Sequence, residues 1–144
     1  MENTELSVRE ARKRDVISCF FRLLKEHPEE KIGDIFKRME NMPAPCYYAT
    51  VEVARRYTAI IAKKGKKALP LTNERKREMY FDIYLNWQED CAKKGIEPMR
   101  LGGSFGHFVN VYNITEAFLA KPAPSFFLDV ETIKGIVYRE LRRK

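Results

Sequence analysis

Cysteine is scarce in this 144-residue chain: Cys19, Cys46 and Cys91 are odd in number and widely separated. That excludes a disulfide framework and any CxxC metal or redox motif, and reduced thiols are the expected state. Histidine is scarcer still. His27 and His107 stand far apart without local ligand partners, so a capping or surface role is expected for each, and neither a metal nor a cofactor is expected. No GxSxG, HExxH, DxD or HxE…CxxC grouping is present, which removes the nucleophilic and metal-dependent chemistries that carry clear signatures. The glycines of Ile96–His107 (IEPMRLGGSFGH) are followed by no lysine of a phosphate-binding loop and preceded by no strand, so an ordinary flexible loop is expected there. No apolar run approaches the roughly 18 residues of a membrane span, and MENTELSVREARKR carries charge where a secretory leader is apolar. A soluble cytoplasmic protein that is not an enzyme is the expectation.

What the chain does have is apolar and aromatic content, 44% and 12% respectively, enough for a folded globular chain of one domain or two very small ones. It also has a localised charge. The formal net charge is +7. Between Arg55 and Arg77 nine basic residues (Arg55, Arg56, Lys63, Lys64, Lys66, Lys67, Arg75, Lys76 and Arg77) meet the single acid Glu74, a balance of +8, so the remainder of the chain is close to neutral at −1. A smaller cluster closes the chain at Arg139, Arg142, Arg143 and Lys144. Concentration of one sign in one stretch builds the local field that a polyanion responds to.

An internal repeat appears at an offset of 79 residues. Pro43-Ala44-Pro45-Cys46-Tyr47-Tyr48-Ala49-Thr50-Val51-Glu52 lies over Pro122-Ala123-Pro124-Ser125-Phe126-Phe127-Leu128-Asp129-Val130-Glu131, the mark of a duplicated supersecondary unit. In each copy an amphipathic segment, Ile32–Met42 or about Phe108–Lys121, must stop at proline, and Pro-Ala-Pro makes a stiff extended turn. The aromatic pair then offers two large rings to lock the turn onto a core. Tyr47 and Tyr48 face Phe126 and Phe127 in the alignment, which points to the ring rather than the hydroxyl as the feature retained. Thr50 and Asp129 are expected N-caps, with Glu52 and Glu131 in the first helical turn and a Leu128–Ile133 hydrophobic staple in the second copy. The final helices place Val130, Ile133, Val137 and Leu141, or Val51, Ala54, Thr58 and Ala62, on one stripe. Basic residues recur at matching places: Arg55 with Lys134, Lys63 with Arg142, Lys64 with Arg143.

Elsewhere a helix is expected from about Ser7 to Glu26, ended by His27-Pro28, and another from a cap at Thr72 to about Lys94, with Gly95 as the residue beyond its carboxyl end. The expected fold is all-α, about six helices in two tandem three-helix repeats, residues 1–68 and 69–144, packed together because about 70 residues make a thin core alone.

The functional expectation is a non-enzymatic DNA-binding protein built on two variant helix-turn-helix-like units, their eight-residue turns longer than the standard three or four. Arg55 and Arg56 would face a groove, while Lys63, Lys64, Lys66, Lys67, Arg75, Lys76 and Arg77, with Lys134, Arg139, Arg142 and Arg143 in the second copy, would meet phosphates. The alternative is a protein-interaction or structural scaffold, self-associating in one form, motivated by nine Phe, seven Tyr and one Trp. The phrases PAPCYYATVEVARR, RKREMY and PAPSFFLDVETIK resemble those of small uncharacterised proteins of gut bacteria and their mobile elements or phages. That resemblance implies a DNA-handling setting and assigns no activity or site residue.

Overall fold

The computed structural model describes residues 4–96 and 105–143. Among them the chain is all-helical: α1 Glu5–Glu26, α2 Ile32–Glu40, α3 Val51–Lys64, a 3-10 turn at Lys66–Ala68, α4 Glu74–Lys93, α5 Phe105–Leu119 and α6 Val130–Arg142. Most of the Ile96–His107 loop and Lys144 lie outside the described residues.

Local chemistry sets most of the helix ends. Thr4 opens α1 with a reciprocal capping box, its hydroxyl accepting from the Ser7 amide at 3.1 Å while the Ser7 hydroxyl accepts from the Thr4 amide at 3.1 Å. Thr50 accepts from the Val53 amide at 3.2 Å and Asp129 from the Thr132 amide at 2.8 Å, so both N-caps fall where the sequence puts them. The cap of α4 is Asn73, one residue after the expected Thr72, and its carboxamide accepts from the Lys76 amide at 3.0 Å. Behind α4, Gly95 takes φ 69°, and the Gly95 and Ile96 amides donate to the Ala92 and Cys91 carbonyls at 3.0 and 2.9 Å. This closes the helix with a Schellman motif that needs glycine's left-handed freedom.

The chain divides into two compact units, and the division corrects the expected boundary at residue 68. Unit 1 is Met1–Tyr48 with Pro122–Lys144; unit 2 is Ala49–Lys121. Each therefore takes two helices from one half of the sequence and the final helix from the other. In unit 1, α6 packs on both α1 and α2; in unit 2, α3 packs on both α4 and α5. The helices that flank each Pro-Ala-Pro turn belong to different units.

The two turns meet inside unit 1. Ala44 and Ala123, 79 residues apart, exchange amide-to-carbonyl hydrogen bonds at 3.0 Å in both directions, an isolated antiparallel bridge. The rings pair crosswise beside it: Tyr48 stacks on Phe126 with centroids 5.9 Å apart, and Tyr47 on Phe127 at 6.2 Å. Phe127 holds φ 55°, a left-handed conformation unusual for an aromatic residue. The core of unit 1 continues through Phe20 stacked on Phe36 at 5.1 Å, with Val16, Leu23, Ile35, Met39, Ile133 and Val137 buried around them.

Unit 2 is organised about Trp87. The indole Nε1 donates to the Thr115 hydroxyl at 2.8 Å, and that hydroxyl donates in turn to the Val111 carbonyl at 2.7 Å, so both buried polar groups are satisfied. Ala54, Thr58 and Ile61 of α3 and Met79, Ile83 and Cys91 of α4 complete the packing. The expected stripes need one correction at their ends. Leu141 is 42% exposed and Ala62 is also exposed, whereas Ile136 and Ile61 are buried. The buried face ends at Ile61 in α3 and at Val137 in α6, and the residues that close each helix, Lys63-Lys64 and Arg142, are exposed.

Candidate functional site

The basic stretch lies wholly within unit 2, on α3 from Arg55 to Lys64, the 3-10 turn and the first turns of α4. Gly65 makes the junction with φ 87°, a conformation that would strain a residue carrying Cβ. It lets the chain pass from Lys63-Lys64 into Lys66-Lys67 without a break in charge. Arg56, Lys63, Lys64, Lys67 and Lys76 are exposed, and among the described residues none has a carboxylate at ion-pair distance. Lys66 is half-buried, its ammonium 5.4 Å from the Phe81 ring centre. A groove of about 430 Å³ runs among these cations, lined by Ala59, Ile60, Ala68 and Pro70 with Lys63 and Lys64 at its edge. Apolar walls beside lysine heads leave the ammonium groups in water while their stems pack down.

Three of the expected contacts of this stretch, the groove-facing Arg55 and the phosphate-facing Arg75 and Arg77, are less exposed. Arg77 is half-buried and its Nε donates to the Leu71 carbonyl at 2.6 Å, fastening the loop that precedes α4. Arg55 and Arg75 are half-buried as well.

In unit 1 the corresponding basic residues are largely engaged. Lys134 pairs with Glu131 at 3.7 Å and Arg143 with Glu140 at 3.5 Å. The Arg139 Nε donates to the Gly135 carbonyl at 3.1 Å. Arg142 is exposed. The structure brings the predicted residues together as two groups, one per unit. It also gathers cations that the sequence reading left aside: Arg9, Arg12 and Lys13 on α1 beside Arg139 of α6. Their spacing of three and four residues was the available signal.

A second cleft of unit 1, about 520 Å³, is lined by Asp15, Ser18, Cys19 and Arg22 of α1 with Pro43, Ala44, Pro45 and Phe126 from the paired turns. Asp15 on its wall accepts from the Tyr48 hydroxyl at 2.6 Å. The hydroxyl is therefore used, and the expectation that only the ring matters is corrected for copy one. Burial, reinforced by that hydrogen bond, pushes the Tyr48 hydroxyl well above the usual phenol range. Burial likewise pushes the Cys46 thiol up, with the Asp15 charge adding to it, and pushes the Cys19 thiol up against the opposing influence of Arg22. Both thiols are held protonated, the opposite of an activated nucleophile.

His27 caps α1, its amide donating to the Leu23 carbonyl at 2.8 Å, and its ring Nδ1 stands 3.7 Å from Glu30. His107 lies half-buried in the first turn of α5. Among the described residues no three metal-ligating side chains gather, and no helix is long and apolar enough to cross a membrane. No protein-family model, curated protein or solved structure matches the chain.

Proposed function

We propose that the protein binds DNA, without catalysing a reaction on it, through the lysine strip of unit 2. The observation that carries this reading is the run of exposed lysines Lys63, Lys64 and Lys67, joined by Lys76 and Arg56, with no carboxylate beside them among the described residues. Such a strip gains counterion-release free energy on a phosphate backbone and offers few rigid donors for reading base edges, so sequence-independent backbone contact is its natural mode. The long proline turns argue against a helix-turn-helix docking, and the strip does not require one. Fluorescence anisotropy of a labelled generic duplex tests the reading: binding at about 50 mM salt is expected, and its absence overturns the proposal.

A second reading, a scaffold that docks a protein partner or a second copy, is favoured by the exposure of Phe21, Ile32, Tyr138 and Leu141 in unit 1, each more than 40% accessible. Light scattering separates the two: a strict monomer that binds duplex leaves only the first.

A further inference from the structure

Unit 1 holds a cationic cavity that the strip of unit 2 does not involve. About 240 Å³ in volume, it lies between α1 and α6 and is lined by Arg9, Glu10, Arg12, Lys13, Ile136 and Arg139. The three α1 cations share a face of their helix because they stand three and four residues apart. Arg139 comes from the other wall. Its Nε is fixed on the Gly135 carbonyl at 3.1 Å, and the guanidinium lies along that glycine, with Nη2 3.8 Å from where a Cβ would stand. The side chain is thus laid down along its own helix by a neighbour that has no side chain of its own, leaving its terminal nitrogens for another acceptor.

Among the described residues, four cationic side chains and one carboxylate, Glu10, line this space. The nearby Glu140 is divided between Lys13 at 3.9 Å and Arg143 at 3.5 Å. Like charges gathered around one space repel, and the repulsion is relieved when an anion enters it. Guanidinium forks are the side chains that match a tetrahedral oxyanion most closely. The volume corresponds to on the order of eight water-sized spaces, room for one such group with part of its hydration.

We propose that this cavity binds a single phosphoryl group, held by Arg139 from α6 and by Arg9, Arg12 and Lys13 from α1. The inference stands independently of the DNA reading. The phosphoryl group belongs either to a nucleic-acid backbone or to free phosphate, which present the same chemistry to the cavity.

The test is a titration of the full chain with inorganic phosphate, followed by nitrogen-15 NMR on backbone amides and arginine Nε–H groups, with ionic strength held constant by chloride. Saturable shifts confined to the 9–13 segment and Arg139 are expected. Arg139→Gln should weaken the response about tenfold, the loss of one charge-assisted contact, and Arg9→Gln should weaken it independently, while Lys63→Gln in unit 2 leaves it unchanged. Far-UV circular dichroism confirms that each variant is folded. A linear response equal to that of added chloride overturns the proposal, as does saturable binding that both arginine variants leave intact. Adding a short duplex to the phosphate-loaded protein then separates the sources: loss of the phosphate signature assigns the nucleic-acid backbone, and its retention assigns free phosphate. Duplex binding is read from the unit 2 signals, so the cavity and the strip fail separately.

Discussion

The two units are built from the same kinds of helix and treat their charge in opposite ways. Unit 1 pairs or folds back the basic residues of its final helix: Lys134 onto Glu131, Arg143 onto Glu140, Arg139 onto the Gly135 carbonyl. Unit 2 leaves Lys63-Lys64, in the last turn of α3, and the following Lys67 to solvent. Three of the aligned differences bear on Arg139 and Arg143. At the positions aligned with Ile61, Ile60 and Arg56, α6 carries Glu140, Arg139 and Gly135, so one copy gained an acid on the face that the other buries. Charge count in a sequence is therefore a poor guide to surface field, and the pattern of acids three and four residues away is a better one.

The largest effect that would break this contrast is on duplex affinity. Replacing Lys63, Lys64 and Lys67 with Glu is expected to lower it roughly a thousandfold at low salt, through lost contacts and added repulsion. The matching change in unit 1, Arg142→Gln with Arg143→Gln, is expected to lower it less than about tenfold. Equal losses in the two variants would show that the units are equivalent and remove the distinction. Anisotropy titrations of both read the outcome directly.

Stability sharpens the comparison at smaller scale. In unit 2, Thr115→Val strands the Trp87 indole N–H in a buried site, and a loss of about 1–3 kcal/mol is expected in urea unfolding followed by the fluorescence of the single tryptophan. No change would mean that the indole finds another acceptor. In unit 1, Tyr48→Phe reproduces the residue that copy two carries at Phe127 and removes one hydrogen bond to Asp15, so a loss of about 1 kcal/mol is expected near neutral pH.

That last variant carries a pH signature. The Tyr48 hydroxyl is raised above its ordinary value in the folded protein, whereas in the unfolded chain a tyrosine loses its proton near pH 10. Above that pH the unfolded state binds fewer protons than the native one, so stability present below about pH 10 declines as pH rises further. The raised Cys19 and Cys46 thiols act in the same direction from a lower starting pH. Tyr48→Phe should flatten the alkaline part of the stability profile and leave the cysteine part. Unfolding midpoints between about pH 8 and 11 check this, and superimposable profiles would assign the alkaline loss elsewhere.

Much of the fold was legible because helix ends are local chemistry. Thr50, Asp129 and Gly95 each act through hydrogen bonds within a few residues, and their side-chain types announce them. Asn73 displaced Thr72 because two good caps stand side by side and only the backbone geometry selects between them. The exchange of final helices was not legible. Pairing of Ala44 with Ala123 and of Tyr48 with Phe126 spans almost 80 residues, and a repeat alignment records likeness between two segments without saying that they touch. For the same reason the Tyr48–Asp15 hydrogen bond and the joining of Arg139 to Arg9, Arg12 and Lys13 escaped notice. The lysine strip was visible because it is contiguous in sequence.

The most direct measurement is the salt dependence of duplex binding, comparing the native chain with Lys63→Gln/Lys64→Gln/Lys67→Gln. With about six phosphates engaged, affinity should fall roughly a thousandfold between 50 and 200 mM salt, and the triple variant should lower the slope of log K against log salt by about 3. A native slope near zero, or a variant slope equal to the native one, would contradict a lysine strip that grips a phosphate backbone.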